Sequence, residues 1–176
     1  MNFTGHFKTI TAHKLLVMKY CFRVGLYRQG LMHDMSKYMP SEYLIGAKYY
    51  KGTESPNNVE RRETGVSSAW LHHKGRNKHH FEYWMDYGLD KNKGIVGMKM
   101  PKKYVAEMFC DRLAASKIYM GDKYYQEYPL EYFNRSRHRI IIHPETEAEL
   151  EKMLVMLRDK GEDAVFEYIK RELVKK

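Results

Sequence analysis

The pair His33-Asp34, set in Gly30-Leu-Met-His-Asp-Met-Ser-Lys-Tyr38, constrains this chain more than any other feature. An imidazole and a carboxylate on neighbouring residues can turn toward one divalent cation, and that cation needs further ligands. The chain offers them at a distance: His13 upstream, the doublets His72-His73 and His79-His80 downstream, and Asp111 beyond. A fold that uses these groups together must bring several separate stretches to one point. Imidazole and carboxylate donors suit Mn, Fe, Co, Ni or Zn, as one ion or two.

Each member has a physical argument of its own. Asp111 falls on a helical stripe with Tyr104, Met108, Ala115 and Ile118. A carboxylate buried there is costly unless it is paired with a base or a metal. His13 lies beside Leu16 and Val17 on an apolar helical face, where a hydrogen-bonded core histidine is the plainer alternative; His6, seven residues earlier, is a substitute ligand. Adjacent histidines on a helix point about 100° apart, so one of each doublet is expected to bind metal. His73 and His80 are preferred, with His72 and His79 as alternates facing a second metal, a substrate or a carboxylate. Lys37 follows Asp34 by three residues and is placed one turn away, where it holds a phosphate.

Apolar periodicity predicts an all-α chain. Helices are expected over residues 3–28, 31–37, 41–50, 67–74, 79–87, 102–120, 122–132 and 144–159, with a last one after Gly161. Thr4 or Thr11 is the expected cap of the first, and Pro40 and Pro144 suit first turns. Residues 51–65 and 88–101 read as loops, and residues 140–142 as an extended run. No linker or repeat divides the chain, so residues 1–176 are read as one helical domain. Its metal-binding core spans about residues 6–120, and residues 121–176 form a C-terminal helical extension.

The formal net charge of +9 favours anionic partners. Its cations are interleaved with acids, which disfavours a dedicated nucleic-acid tail. The two cysteines, Cys21 and Cys110, form no CxxC pair and read as reduced thiols of a cytoplasmic protein. Charged residues interrupt any apolar leader near the start, and no apolar run reaches the ~20 residues that span a bilayer. P-loop, HExxH, zinc-finger and GxSxG motifs are absent.

In order and local context these residues resemble the HD superfamily of metal-dependent phosphohydrolases. His13, then His33-Asp34, then Asp111 follow that family's pattern, and Leu31-Met-His-Asp-Met-Ser-Lys37 and Cys110-Asp-Arg-Leu-Ala-Ala115 resemble its local segments. The segment running from His73 through Asn77 and His79-His80 to Glu82 is also similar to one in small bacterial and phage proteins that carry His-Asp-x-Ser-Lys. The resemblance implies an HD-domain-like helical bundle and hydrolysis of a small phosphorylated substrate, nucleotides included. It implies His13, His33, Asp34, His73, His79, His80 and Asp111 as metal ligands, with Asp34 able to bridge two ions. Asp34 and Lys37 would be catalytic, and Lys74, Arg76 and Asn77 would hold substrate. Two alternatives stand beside it: an HD-fold di-iron oxygenase, and a basic protein that binds metal without catalysis.

Overall fold

In a computed structural model the chain is an all-α bundle with one small hairpin; the structure describes residues 1–90 and 94–175. Helix α1 (Phe3–Arg23) is capped by Asn2, whose side chain accepts from the Gly5 amide, and not by Thr4 or Thr11. Gly25 (φ 88°) ends the long expected helix, and α2 (Tyr27–Met32) restarts it. Next come α3 (Pro40–Tyr49), α4 (Pro56–Thr64), α5 (Ser68–Lys74), α6 (Lys102–Met120), α7 (Tyr128–Ser136) and α8 (Pro144–Ile169).

Three expectations need correction. Residues 51–65 are not simply loop: Pro56 opens α4 in its first turn and Gly65 (φ 83°) closes it, so the Asn57-Asn58 pair does not prevent a helix. Residues 79–87 are not a helix. His79 and His80 lie in a turn, Phe81–Trp84 form a 3-10 turn, and β1 (Met85–Tyr87) pairs antiparallel with β2 (Ile95–Gly97). Backbone groups that a helix would use internally bond across the hairpin instead, as the Trp84 carbonyl does in accepting from Met98 N. The helix expected over residues 122–132 begins only at Tyr128, with Pro129 in the first turn of α7.

The apolar core joins α1, α6 and α8. Val17, Cys21 and Val24 of α1, Val105, Phe109 and Leu113 of α6, and Leu150, Leu154 and Leu157 of α8 belong to one cluster and are fully or almost fully buried. Each buried side chain of this size contributes roughly 1.5–3 kcal/mol by leaving water. The C-terminal stretch expected as an extension therefore shares its core with the helices that carry His13 and Asp111. Gly161 (φ 83°, ψ 178°) kinks α8 so that its second part reaches α1, where Phe166 and Tyr20 stack with ring centroids 5.2 Å apart. On the other side, α3 packs against α1, α4 and α5 and closes the wall that holds the polar residues. No helix among the described residues is long and apolar enough to cross a membrane.

Candidate metal centre

The His33-Asp34 pair sits in a break between helices, not within the helix expected over residues 31–37. Helix α2 stops at Met32, His33 is extended, and Asp34 adopts a left-handed backbone (φ 53°) before the 3-10 turn Met35–Tyr38. Among the described residues it is the one non-glycine with positive φ. Asp tolerates this region better than most residues, though at some cost. The break is held from α1: the Lys14 ammonium donates to the carbonyls of Leu31 (2.7 Å) and His33 (2.9 Å). A cation there satisfies the orphan carbonyls of a helix end.

With this backbone both oxygens of Asp34 face inward, each toward a different set of side chains. Asp34 Oδ2 faces His33 Nε2 at 3.3 Å and His13 Nε2 at 3.7 Å. Asp111 Oδ1 joins this set, 2.9 Å from His13 Nε2 and 3.5 Å from His33 Nε2. Asp34 Oδ1 faces His73 Nε2 and His79 Nε2, each at 3.3 Å. His80 completes this second set, its ring 4.1 Å from that of His79 and 4.8 Å from that of His73. In each of the two sets one donor atom per residue lies within 4.8 Å of all the others. Separations of ~3–4 Å are what ligands of a common ion show when each bond is about 2.1 Å.

The donor atoms themselves test the fit. Among the described residues, Nε2 of His13, His33, His73, His79 and His80 and Oδ1 of Asp34 are buried without a directed hydrogen bond, while Asp34 Oδ2 has Lys37 Nζ at 2.6 Å. The short nitrogen–oxygen distances bring these donor atoms to shared space. Orphaned buried polar atoms are rare and costly, and here six meet in one place. A divalent cation satisfies such atoms, and the imidazole-and-carboxylate set suits one.

The outer nitrogens are occupied. Glu107 Oε1 accepts from His33 Nδ1 (3.0 Å) and lies 3.2 Å from His79 Nδ1. Glu42 Oε2 accepts from His73 Nδ1 at 2.8 Å. A carboxylate on Nδ1 puts the proton there and leaves the Nε2 lone pair free to ligate.

Electrostatics follow the same layout. Burial pulls the His33 imidazole toward neutrality, yet Asp34, Asp111 and Glu107 raise its pKa well above the usual value. Burial likewise opposes charge on Asp34, and His33, Lys37 and His73 hold its carboxyl well below the usual range. Burial opposes charge on Asp111 too, and His13 and His33 outweigh it. His79 is raised to about 9 against burial and the neighbouring His33 by Asp34 and Glu107. His80 is pushed well below the usual value by burial and by His79 and His73.

Several expected site residues take other places. His72, an alternate ligand, turns away from Asp34: its Nδ1 bonds Glu42 Oε1 and its Nε2 meets Ser41 Oγ at 3.0 Å. Of the helical doublet His72-His73 only His73 turns toward Asp34, whereas both rings of His79-His80 join the set around Asp34 Oδ1. The second doublet lies in a turn, where both rings can face the same side. His6 does not reach the cluster and packs against Gly46 and the rings of Tyr43 and Tyr50. Asn77 donates to Ser36 Oγ (2.9 Å) and to the His73 carbonyl (2.8 Å), so its amide braces α5. Arg76 is exposed at the rim with one contact to the His72 carbonyl, and Lys74 is half-buried. Lys37 Nζ lies 2.6 Å from Asp34 Oδ2, its side chain 27% exposed. Asp111 is 15% exposed on a half-buried flank of α6, beside the deeper stripe through Val105, Phe109 and Leu113.

Sequence reasoning missed Glu107, Glu42 and Lys14. Glu107 had a readable signal, because it precedes Asp111 by four residues and so shares its helical face. Neither a curated protein nor a solved structure matches the chain. A family profile does, over residues 2–156, a span that includes every residue of both ligand sets. The chain belongs to DUF5662, a family of unknown function.

Proposed function

We propose that the protein is a metal-dependent hydrolase of a phosphate ester that works through a dinuclear centre, as the HD-superfamily resemblance implies. One observation carries this reading: the two oxygens of Asp34 face two separate imidazole sets, the arrangement of a carboxylate that bridges two ions. Bound divalent ions would supply Lewis acidity toward a phosphoryl oxygen and a water acidified toward pH ~7.

The chain's own residues have distinct tasks in this scheme. His13, His33 and Asp111 hold one ion and His73, His79 and His80 the other, with Asp34 between them. Lys37 is the cation that combines contact with Asp34 and access to solvent, and it grips a phosphoryl oxygen of the substrate. Burial opposes its charge, but Asp34 and Asp111 raise its pKa, so it stays an ammonium and serves as an anion clamp, not as a base. Arg76, exposed at the rim, and Lys74 add positive charge that draws a small phosphorylated substrate toward the centre.

The test begins with metal analysis of protein purified without chelator or nickel affinity, followed by a panel of phosphomonoesters and nucleotides. Two equivalents of Mn, Co, Ni or Zn with turnover are expected, and Lys37→Met should lower kcat by about 10²-fold, the scale of a lost electrostatic clamp. Five imidazoles also suit iron. Two iron equivalents with oxygen consumption and no ester turnover would replace hydrolysis with oxidation.

A further inference from the structure

The carboxylate of Glu107 touches both ligand sets from outside. It lies on α6, one turn before Asp111, and is 5% exposed. Its Oε1 alone accepts from His33 Nδ1 at 3.0 Å and lies 3.2 Å from His79 Nδ1. The two rings lie 4.3 Å apart, centroid to centroid. His33 belongs to the set with His13 and Asp111, and His79 to the set with His73 and His80. Glu42 offers a contrast within the same protein. Its second histidine partner is His72, which lies outside both sets, so Glu42 supports a ligand of one set only.

We infer that Glu107 is a positioning residue that couples the two metal positions, so that filling one prepares the other. This rests on the dinuclear reading above. An ion on His33 Nε2 fixes that ring and strengthens its Nδ1–H bond to Glu107. The same oxygen then holds the His79 ring with its Nε2 toward Asp34. Each ring is thus oriented at a cost shared by both sites, which gives positive cooperativity in metal binding. Asp34 links the same sets from inside, and Glu107 is the second link that keeps the rings from turning.

The experiment is a Co²⁺ titration of the full chain at one fixed pH, followed by calorimetry and by cobalt absorbance. Wild type is expected to bind two equivalents with a Hill coefficient above one. Glu107→Gln should weaken both equivalents by about 10–100-fold, the usual scale for an outer carboxylate on a ligating histidine, and should abolish cooperativity. Glu42→Gln should weaken one equivalent and spare the other. Glu107→Asp keeps the charge while withdrawing it by one methylene, and should give an intermediate loss; it also serves if Glu107→Gln does not fold. Two equivalents bound independently by wild type, or a Glu107 variant that loses affinity at one site or at none, would overturn the inference and leave the dinuclear reading intact. A wild type that binds no second equivalent would overturn both.

Discussion

The two sides of α6 are both buried, for opposite reasons. On one side Val105, Phe109 and Leu113 meet α1 and α8, and every group there is better off out of water. On the other, Glu107 and Asp111 meet the imidazoles of His13, His33 and His79, and every group there loses hydration on folding. The apolar side stabilises the chain by itself. The polar side is balanced by opposite charges in the bare protein and, in our reading, fully satisfied once cations are bound. Such a centre needs a scaffold that folds without its help, and the core behind it supplies one. The same helix carries both sides, so the site is positioned by an element anchored on its far face.

This contrast can be broken experimentally, and the largest effect should come from the residue common to both ligand sets. Asp34→Ala should reduce bound metal from two equivalents to none, by elemental analysis after dialysis. At ion concentrations 100-fold above Kd each lost site removes about 2.7 kcal/mol of linked stabilisation, so the melting shift should correspond to ~5 kcal/mol. Helicity by far-UV circular dichroism should persist. If the variant keeps both ions, the bridging role is wrong.

A cut on the apolar side should behave in the opposite way. Phe109→Ala empties a fully buried position beside Phe166 and should cost about 3–5 kcal/mol in urea unfolding. Metal stoichiometry below the transition should stay at two. Loss of metal with little loss of stability would show that the two sides are not separable.

A one-sided cut in the centre comes next. His73→Ala should leave one equivalent, worth about 2.7 kcal/mol of linked stabilisation under the same conditions. His72→Ala, which removes a ring outside both sets, should leave two equivalents. Equal losses from the two changes would merge the doublet into one functional unit.

The smallest effect concerns His6, which belongs to neither side. Burial and then the charge of Lys37 lower its pKa to about 4. The folded protein keeps this ring neutral, while the unfolded chain takes up a proton near the ordinary value of ~6.5. Its contribution is complete above that value and is lost as pH falls from there toward 4, with no further loss below. The loss should amount to ~1–2 kcal/mol once partial solvation of the ring is discounted. His6→Gln should flatten that limb in melting curves of metal-free protein, whereas an unchanged slope would assign the acid sensitivity to other groups.

The sequence exposes the parts of this molecule that depend on residue type and local period. Helix α6 runs from Lys102 to Met120 as its apolar spacing predicts, and α3 starts at Pro40 as the proline predicts. The structure also brings His13, His33, Asp34 and Asp111 together, four residues whose chemistry alone marked them. What stayed hidden depends on which atom faces which. Glu42 read as an ordinary acid in a helical first turn, and its link to His72 and His73 exists only when α3 lies against α5. Nothing in the sequence marks Lys14, and its work on the Leu31 and His33 carbonyls requires the turn at Gly25. The hairpin was missed because its strands have three residues each, too few for an alternating pattern to register.

The left-handed turn at Asp34 restricts how this position can vary. Glycine and asparagine accept that backbone, but neither brings a charged pair of oxygens. Glutamate brings the pair, but on a longer arm and with less tolerance for positive φ. Backbone and chemistry thus impose two independent filters, and aspartate alone passes both. On the dinuclear reading, a related chain with another residue here is expected to lack the bridge between the two sets, even if all of its histidines survive. That makes one position a cheaper guide to which family members share this chemistry than a count of ligands.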